Sequence, residues 1–328
     1  MIEMRDVRFG YGRGTPLFSA LDFSVSPGGV VGLLGKNGAG KTTLLKIGAG
    51  LLFAEAGTAE LFGVPAAKRV PDALARLAFI PEQFEVPAMR LREYVEYHSA
   101  YYPRFDTELM ERYLQRFEIE GNKRLTHLSF GQQKKVLLSF ALASMAELVI
   151  LDEPTNGLDI PSKQVFRRLI VEAADDRRAV VISTHQVRDV ENLIDPVVVL
   201  DNGTVVFEAS LGTIQSRLEM RRFDSEVAAR RAGAFAMESR LGSTVALVPS
   251  SGTRDTSTGI GSRTGDADQA GEDQAGDGGR TGDGGQVGDG YWTGDGGESL
   301  GDDIDLELLF QAAVTSPREM MQLCGGER

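Results

Sequence analysis

The segment Val30-Val31-Gly32-Leu33-Leu34-Gly35-Lys36-Asn37-Gly38-Ala39-Gly40-Lys41-Thr42-Thr43 leaves this chain few choices of fold. Its apolar opening reads as a buried strand and its middle as a glycine-rich turn. Thr43-Leu44-Leu45-Lys46-Ile47 reads as the start of a helix. Within the turn, Gly35, Gly40, Lys41 and Thr42 fit the phosphate-loop pattern G-x-x-x-x-G-K-[ST]. Glycines let a backbone wrap a polyphosphate closely with its N–H groups pointing inward. The helix N-terminus adds partial positive charge. Lys41 is then placed to reach β- and γ-phosphates, and the Thr42 hydroxyl to ligate Mg²⁺. Lys36, Asn37, Gly38, Ala39 and Thr43 complete the loop.

A strand–loop–helix unit of this kind belongs in an α/β fold, so carboxylates are sought at the ends of other strands. Leu148-Val149-Ile150-Leu151 is followed directly by Asp152-Glu153-Pro154. Two carboxylates after four apolar residues fall at the sheet edge where ligands of open α/β sheets bind. One βα unit later, Ala179-Val180-Val181-Ile182-Ser183 runs into Thr184-His185, which repeats the arrangement. Between the loop and Asp152 lies Leu128-Ser129-Phe130-Gly131-Gln132-Gln133, with Ser129 as N-cap of an apolar-periodic helix. His98 and His127 have no comparable context and read as structural.

The N-terminal part, to about residue 30, reads as short alternating strands. Tyr11 sits there between Gly10 and Gly12, poorly placed for a core; its ring could pack at the surface or stack on a flat ring. From Leu91 to Phe117 the pattern is helical and rich in tyrosine, either a subdomain core or a docking face. Further helices are expected from residue 44 onward, over Pro161–Ala174 and over 186–194. Asp201-Asn202-Gly203 between apolar runs signals a hairpin.

Composition matters most in the tail. Residues 250–303 hold 17 glycines, 12 Asp or Glu and 3 Arg, with Thr-Gly-Asp starting at 264, 281 and 293. Such a stretch buries too little apolar surface to offset chain entropy and reads as a disordered acidic insert. The irregular spacing argues against a calcium-binding repeat. Tyr291 and Trp292 are its isolated aromatics. Most of the net charge of −12 belongs to this insert, so the rest is nearly neutral and carries no basic nucleic-acid footprint. Residues 304–315 read as an amphipathic helix. The single cysteine, Cys324, rules out an intrachain disulfide and fits a reducing cytosol. No apolar run approaches membrane-spanning length and the N-terminus has no signal pattern, so membrane contact is expected only through a partner.

Together, the phosphate loop, Leu128–Gln132, Asp152-Glu153, Asn156-Gly157-Leu158-Asp159 and His185 resemble an ABC-type ATPase cassette in order and spacing. The resemblance covers about residues 1–220. It implies an α/β P-loop NTPase fold with an N-terminal antiparallel β part, a helical subdomain near 84–145 and a small C-terminal extension. The extension divides into a lobe at 221–249, the insert at 250–303 and a helix and tail at 304–328. The resemblance implies ATP and Mg²⁺ as ligands. Tyr11 would stack on adenine, Asp152 would hold Mg²⁺, Glu153 would be the general base and His185 would contact the γ-phosphate. Ser129, Gly131 and Gln132 would meet ATP bound to a second, facing cassette, with Asp159 at the dimer seam. The partners implied are a second cassette, identical or not, and a separate membrane permease, with the protein peripheral at the cytoplasmic face of the cell membrane.

This chain departs from the family pattern in two places. Phe130 stands where glycine is usual. Glu82 holds a position commonly taken by a glutamine that senses Mg²⁺, with Gln83 one residue later; either could serve. Tyr101-Tyr102-Pro103-Arg104-Phe105-Asp106 and Asp305–Phe310 are similar to exporter-type cassettes. A soluble ABC-type ATPase acting on another cytosolic assembly is the alternative.

Overall fold

The computed structural model describes residues 1–12, 14–250, 297–301 and 303–325. Its elements run β1 (Ile2–Phe9), β2 (Phe18–Val25), β3 (Val30–Leu34), α1 (Lys41–Gly48), β4 (Ala56–Leu61), β5 (Val64–Pro65), α2 (Pro71–Leu74), β6 (Leu77–Ile80), α3 (Leu91–Ser99) and α4 (Thr107–Arg116). Then come α5 (Phe130–Ala143), β7 (Leu148–Asp152), α6 (Ile160–Ala173), β8 (Ala179–Thr184), β9 (Val197–Asp201) and β10 (Thr204–Ala209). The C-terminal part holds α7 (Leu211–Arg217), β11 (Leu218–Phe223), α8 (Glu226–Arg231), β12 (Ala236–Arg240), β13 (Ser243–Pro249), β14 (Glu298–Ser299), α9 (Leu306–Thr315) and α10 (Pro317–Cys324).

The described strands form three sheets. The central one has order β10-β9-β3-β8-β7-β6, parallel except for the β9–β10 hairpin. Every residue of β3, β7 and β8 is buried, as expected for parallel strands covered on both faces. An antiparallel sheet β2-β1-β4-β5 packs beside it, and β1 alternates between core and solvent as a one-faced strand must. The third sheet, β12-β13-β11-β14, is antiparallel and C-terminal.

The helical reading of 91–117 resolves into two helices. Pro103 cannot continue a helix, and Asp106 restarts one by accepting the Leu109 N–H at 2.8 Å. The helix expected from residue 44 onward ends at Gly48, just before Gly50 takes φ +68°. The helix expected over 186–194 is only a 3₁₀ turn at Val187–Asp189. Asp195 N–H bonds to Val30 O at 2.7 Å, which pulls that segment onto β3. The helix read at 304–315 is α9, and α10 after it went unassigned. Residues 251–296 of the expected insert, with Tyr291 and Trp292, lie outside the described residues. Where its composition argued against regular structure, Glu298–Ser299 pairs with β11, and Glu298 meets Arg222 at 3.1 Å.

Candidate functional site

The carboxyl ends of β3, β7 and β8 lie side by side, with Leu34 opposite Thr184 and Asp152 opposite Ser183. This registry brings three separated segments to one place. The phosphate loop leaves β3 and enters α1 through Gly40, at φ +108°. A Cβ there would meet the Phe18 ring at 2.8 Å, so only glycine fits. A cavity of about 500 Å³ opens over the loop. Lys36, Asn37, Gly38, Gly40, Lys41, Thr42 and Thr43 line it, with Tyr11, Leu17, Glu82 and Glu153.

Lys41 is buried, and its Nζ donates to Gly35 O at 2.7 Å and Lys36 O at 3.3 Å. It lies 3.4 Å from Glu153 Oε1. Glu153 is 3% exposed and its carboxylate is aimed by several donors. Thr184 Oγ1 donates to Oε2 at 3.0 Å, and His185 N–H to Oε1 at 3.0 Å. The His185 ring Nδ1 is 2.8 Å from the same Oε1; facing a carboxylate, it is the donor. The backbone of Glu153 is left-handed, φ +46°, which costs on the order of 1 kcal/mol for a non-glycine residue.

Asp152 is fully buried, yet among the described residues it takes part in no ion pair. Thr42 Oγ1 donates to its Oδ2 at 2.6 Å, and Ser183 Oγ to its Oδ1. A buried carboxylate held only by hydroxyls, one of them on the phosphate loop, is the hard oxygen donor set that Mg²⁺ takes. The residues present therefore fit that ion.

The other expected residues fall in three groups. Tyr11, a residue 65% exposed, reaches the cavity with its ring edge-on against Phe9, and its hydroxyl bonds Thr43 Oγ1 at 2.9 Å. Ser129, Gly131, Gln132 and Asp159 do not line it. Ser129 and Gln132 close a capping box on α5, and Asp159 caps α6 through Ser162 N–H at 3.1 Å. That hydrogen bonding from Ser162 holds the Asp159 carboxyl below its ordinary range. Phe130 leans sideways onto Phe84, with rings stacked 4.9 Å apart, so its bulk leaves Ser129 exposed. Of the two neighbours Glu82 and Gln83, Glu82 lines the cavity and Gln83 is exposed beside it.

Several residues support the site through contacts that no local sequence pattern announces. Asn156 Nδ2 donates to Glu82 Oε1 at 3.0 Å, and Gln186 Nε2 to Asn156 Oδ1 at 2.9 Å. Lys134 is fully buried, and its Nζ donates to the main-chain oxygens of Glu153 at 2.6 Å and Asn156 at 3.1 Å. Burial pushes its pKa down to about 8, against the opposing pull of Glu82, Glu153 and Asp152. A lysine inside an apolar-periodic helix was the available signal.

Fold and site together define a P-loop NTPase with Asp152 ending β7 and Glu153 directly after it. The ABC transporter family matches over residues 18–156. The SkfA peptide export ATP-binding protein SkfE of Bacillus subtilis (strain 168) is 31% identical over 208 residues, 62% of this chain and 86% of that one. The Nod factor export ATP-binding protein I of Rhizobium etli is 32% identical over 215 residues, covering 63% and 67%. A solved ATP-binding subunit of an ABC transporter superposes with TM-score 0.60 at 27% identity, over 66% of this chain and 92% of that one. The chain belongs to the ATP-binding proteins of the ABC transporter family.

Proposed function

We propose that this chain hydrolyses ATP at the cavity over the phosphate loop and powers a separate membrane permease that moves its substrate outward. The observation carrying the reading is Glu153, a buried carboxylate aimed by Thr184 and His185 and set 3.4 Å from Lys41. A general base must stand within hydrogen-bond reach of the water it activates, in a fixed orientation. Glu153 accepts the proton of the attacking water, and His185 holds Glu153 and turns toward the γ-phosphate. Lys41 and the loop N–H groups meet the β- and γ-phosphates. Thr42 and Asp152 would hold Mg²⁺, which would supply charge neutralisation on the phosphates. Glu82, rather than Gln83, is the residue of its loop that faces the nucleotide. Tyr11 stacks on the adenine. Most of the rate comes from positioning and charge.

Ser129 and Gly131 lie outside their own cavity, which supports a head-to-tail pair in which each signature segment meets the partner's nucleotide. Asp159, exposed at the start of α6, then lies on the seam. The cassette spans about residues 1–220 and the C-terminal lobe follows it. No helix among the described residues is long and apolar enough to cross a membrane. On this reading the crossing path belongs to the permease, and the chain works at the cytoplasmic face. The direction rests on relatives named for export.

The test is Glu153→Gln. ATP binding is retained, and hydrolysis falls on the order of 100-fold or more. Turnover near the wild-type rate overturns the assignment of the base. Isolated from membranes with ATP, the variant brings down a polytopic membrane protein in stoichiometric amount. Isolation with ribosomes or another cytosolic assembly instead overturns the transport role.

A further inference from the structure

Lys134 has no part in the chemistry above, yet its position is costly. It lies on α5 at full burial, among Val136, Leu137, Leu138 and Phe140. An ammonium taken out of water is tolerated only when it is paired or hydrogen-bonded. No carboxylate oxygen of a described residue lies within 4.0 Å of it; its two hydrogen bonds go to the main-chain oxygens of Glu153 and Asn156. Both belong to the turn after β7. In that turn Glu153 holds its left-handed conformation, and its carbonyl accepts from Lys134 of α5.

Asn156 links this lysine to a second unusual residue. Its carbonyl accepts from Lys134, while its side-chain amide donates to Glu82 Oε1 at 3.0 Å. Glu82 is the acid standing where the family pattern has a neutral amide. Acid and lysine thus meet on opposite ends of one residue. The chain continues from Asn156 to Gln186, next to His185.

We propose that Lys134 is a positioning residue for hydrolysis, holding the Glu153 and Asn156 carbonyls so that the turn aims the Glu153 carboxylate at the phosphate loop, with Glu82 as its countercharge across Asn156. The proposal rests on the reading of Glu153 as the base. It also ties the turn that carries that base to α5, the helix capped by Ser129. The segment offered to the partner's nucleotide and the base of the chain's own site are then linked through one helix.

The test uses the full chain with MgATP. It reads kcat, KM, equilibrium affinity for a fluorescent ATP analogue and the thermal melt. Lys134→Met lowers kcat on the order of 100-fold through misplacement of the base, while nucleotide affinity stays within about threefold. Lys134→Gln keeps a donor without the charge and recovers about tenfold of that loss. Lys134→Gln and Glu82→Gln each lower kcat, and the double variant loses at least about fivefold less than the product of the two, because the pair is coupled. The inference is overturned by a folded Lys134→Met with kcat near wild type, by kcat and affinity falling together, or by a double variant that is simply multiplicative. Should Lys134→Met not fold, the Lys134→Gln and Glu82→Gln cycle decides alone. Glu153→Gln is the reference throughout. If it turns over ATP normally, the base assignment itself fails. If it is inactive while the Lys134 variants are normal, only the role of Lys134 fails.

Discussion

The nucleotide end of the central sheet and the C-terminal layer use their interiors in opposite ways. Twelve of the buried polar or charged side chains among the described residues precede residue 190, and one, Thr244, follows it. Lys41, Lys134, Asp152, Glu153, Ser183 and Thr184 all crowd where β3, β7 and β8 end. The C-terminal layer is apolar by contrast. Leu308, Leu309, Ala312, Ala313 and Met320 pack with Val197, Val199 and Phe207 of the β9–β10 hairpin in one continuous cluster. Interior charge is destabilising unless each group is satisfied. Apart from Arg178, which precedes β8 and is held by the Ala141 and Leu142 carbonyls, that charge gathers at one sheet edge and marks where the fold gives up stability for chemistry. The layer that shares the core carries none of that cost.

If the contrast is real, the two regions answer different measurements. Leu309 is fully buried on α9. Leu309→Ala therefore destabilises the chain by about 3 kcal/mol, within the usual range for a deleted core leucine. Urea unfolding reads that loss, and ATP affinity stays within about twofold of wild type. A matching fall in affinity breaks the separation. Lys41→Ala does the reverse. Losing a charged donor to phosphate is worth about 1.5–3 kcal/mol, or roughly 10- to 100-fold in ATP affinity. Its unfolding midpoint without nucleotide moves little, because the Glu153 carboxylate keeps its donors Thr184 and His185 when Lys41 is gone. A large loss of stability instead makes the loop lysine part of the scaffold.

The same contrast sets what the residues alone reveal. That the phosphate loop, Asp152-Glu153 and His185 come together at one sheet edge was legible, because each falls at the end of an apolar run. Lys134, Thr184 and Asn156 were not. Their roles arise from the parallel registry of β3, β8 and β7 and from where α5 lies against the turn, which no local pattern encodes. Which of Glu82 and Gln83 turns to the cavity was left open for a related reason, since the register of an irregular turn is set by contacts such as Asn156 to Glu82. In the C-terminal part, α10 follows α9 with only Ser316 between, and Pro317 reads as an ending although it suits a helix start equally well. The strand at 298–299 is two residues long and borrows its order from β11.

The smallest effect concerns Cys324, on α10, which probes whether nucleotide is felt in the apolar layer at all. The residue is 2% exposed, and burial pushes its thiol up to about 11, with Arg217 pulling the other way. The thiolate is the reactive form, so at pH 8 the buried thiol is on the order of 100-fold less ionised than an ordinary cysteine, before any limit on access. Labelling by iodoacetamide is correspondingly slow and is accelerated by urea. The unfolded thiol ionises near 9 and the folded one near 11. Between those values the folded state holds the extra proton, so this group's contribution to stability is intact below about pH 9 and is lost as pH rises toward 11. Cys324→Ala flattens that slope. The informative comparison is labelling with and without MgATP. An unchanged rate keeps the apolar layer a passive wall behind the hairpin. Strong protection makes nucleotide binding tighten α10, and the division between a chemical edge and an inert layer then gives way to one coupled unit.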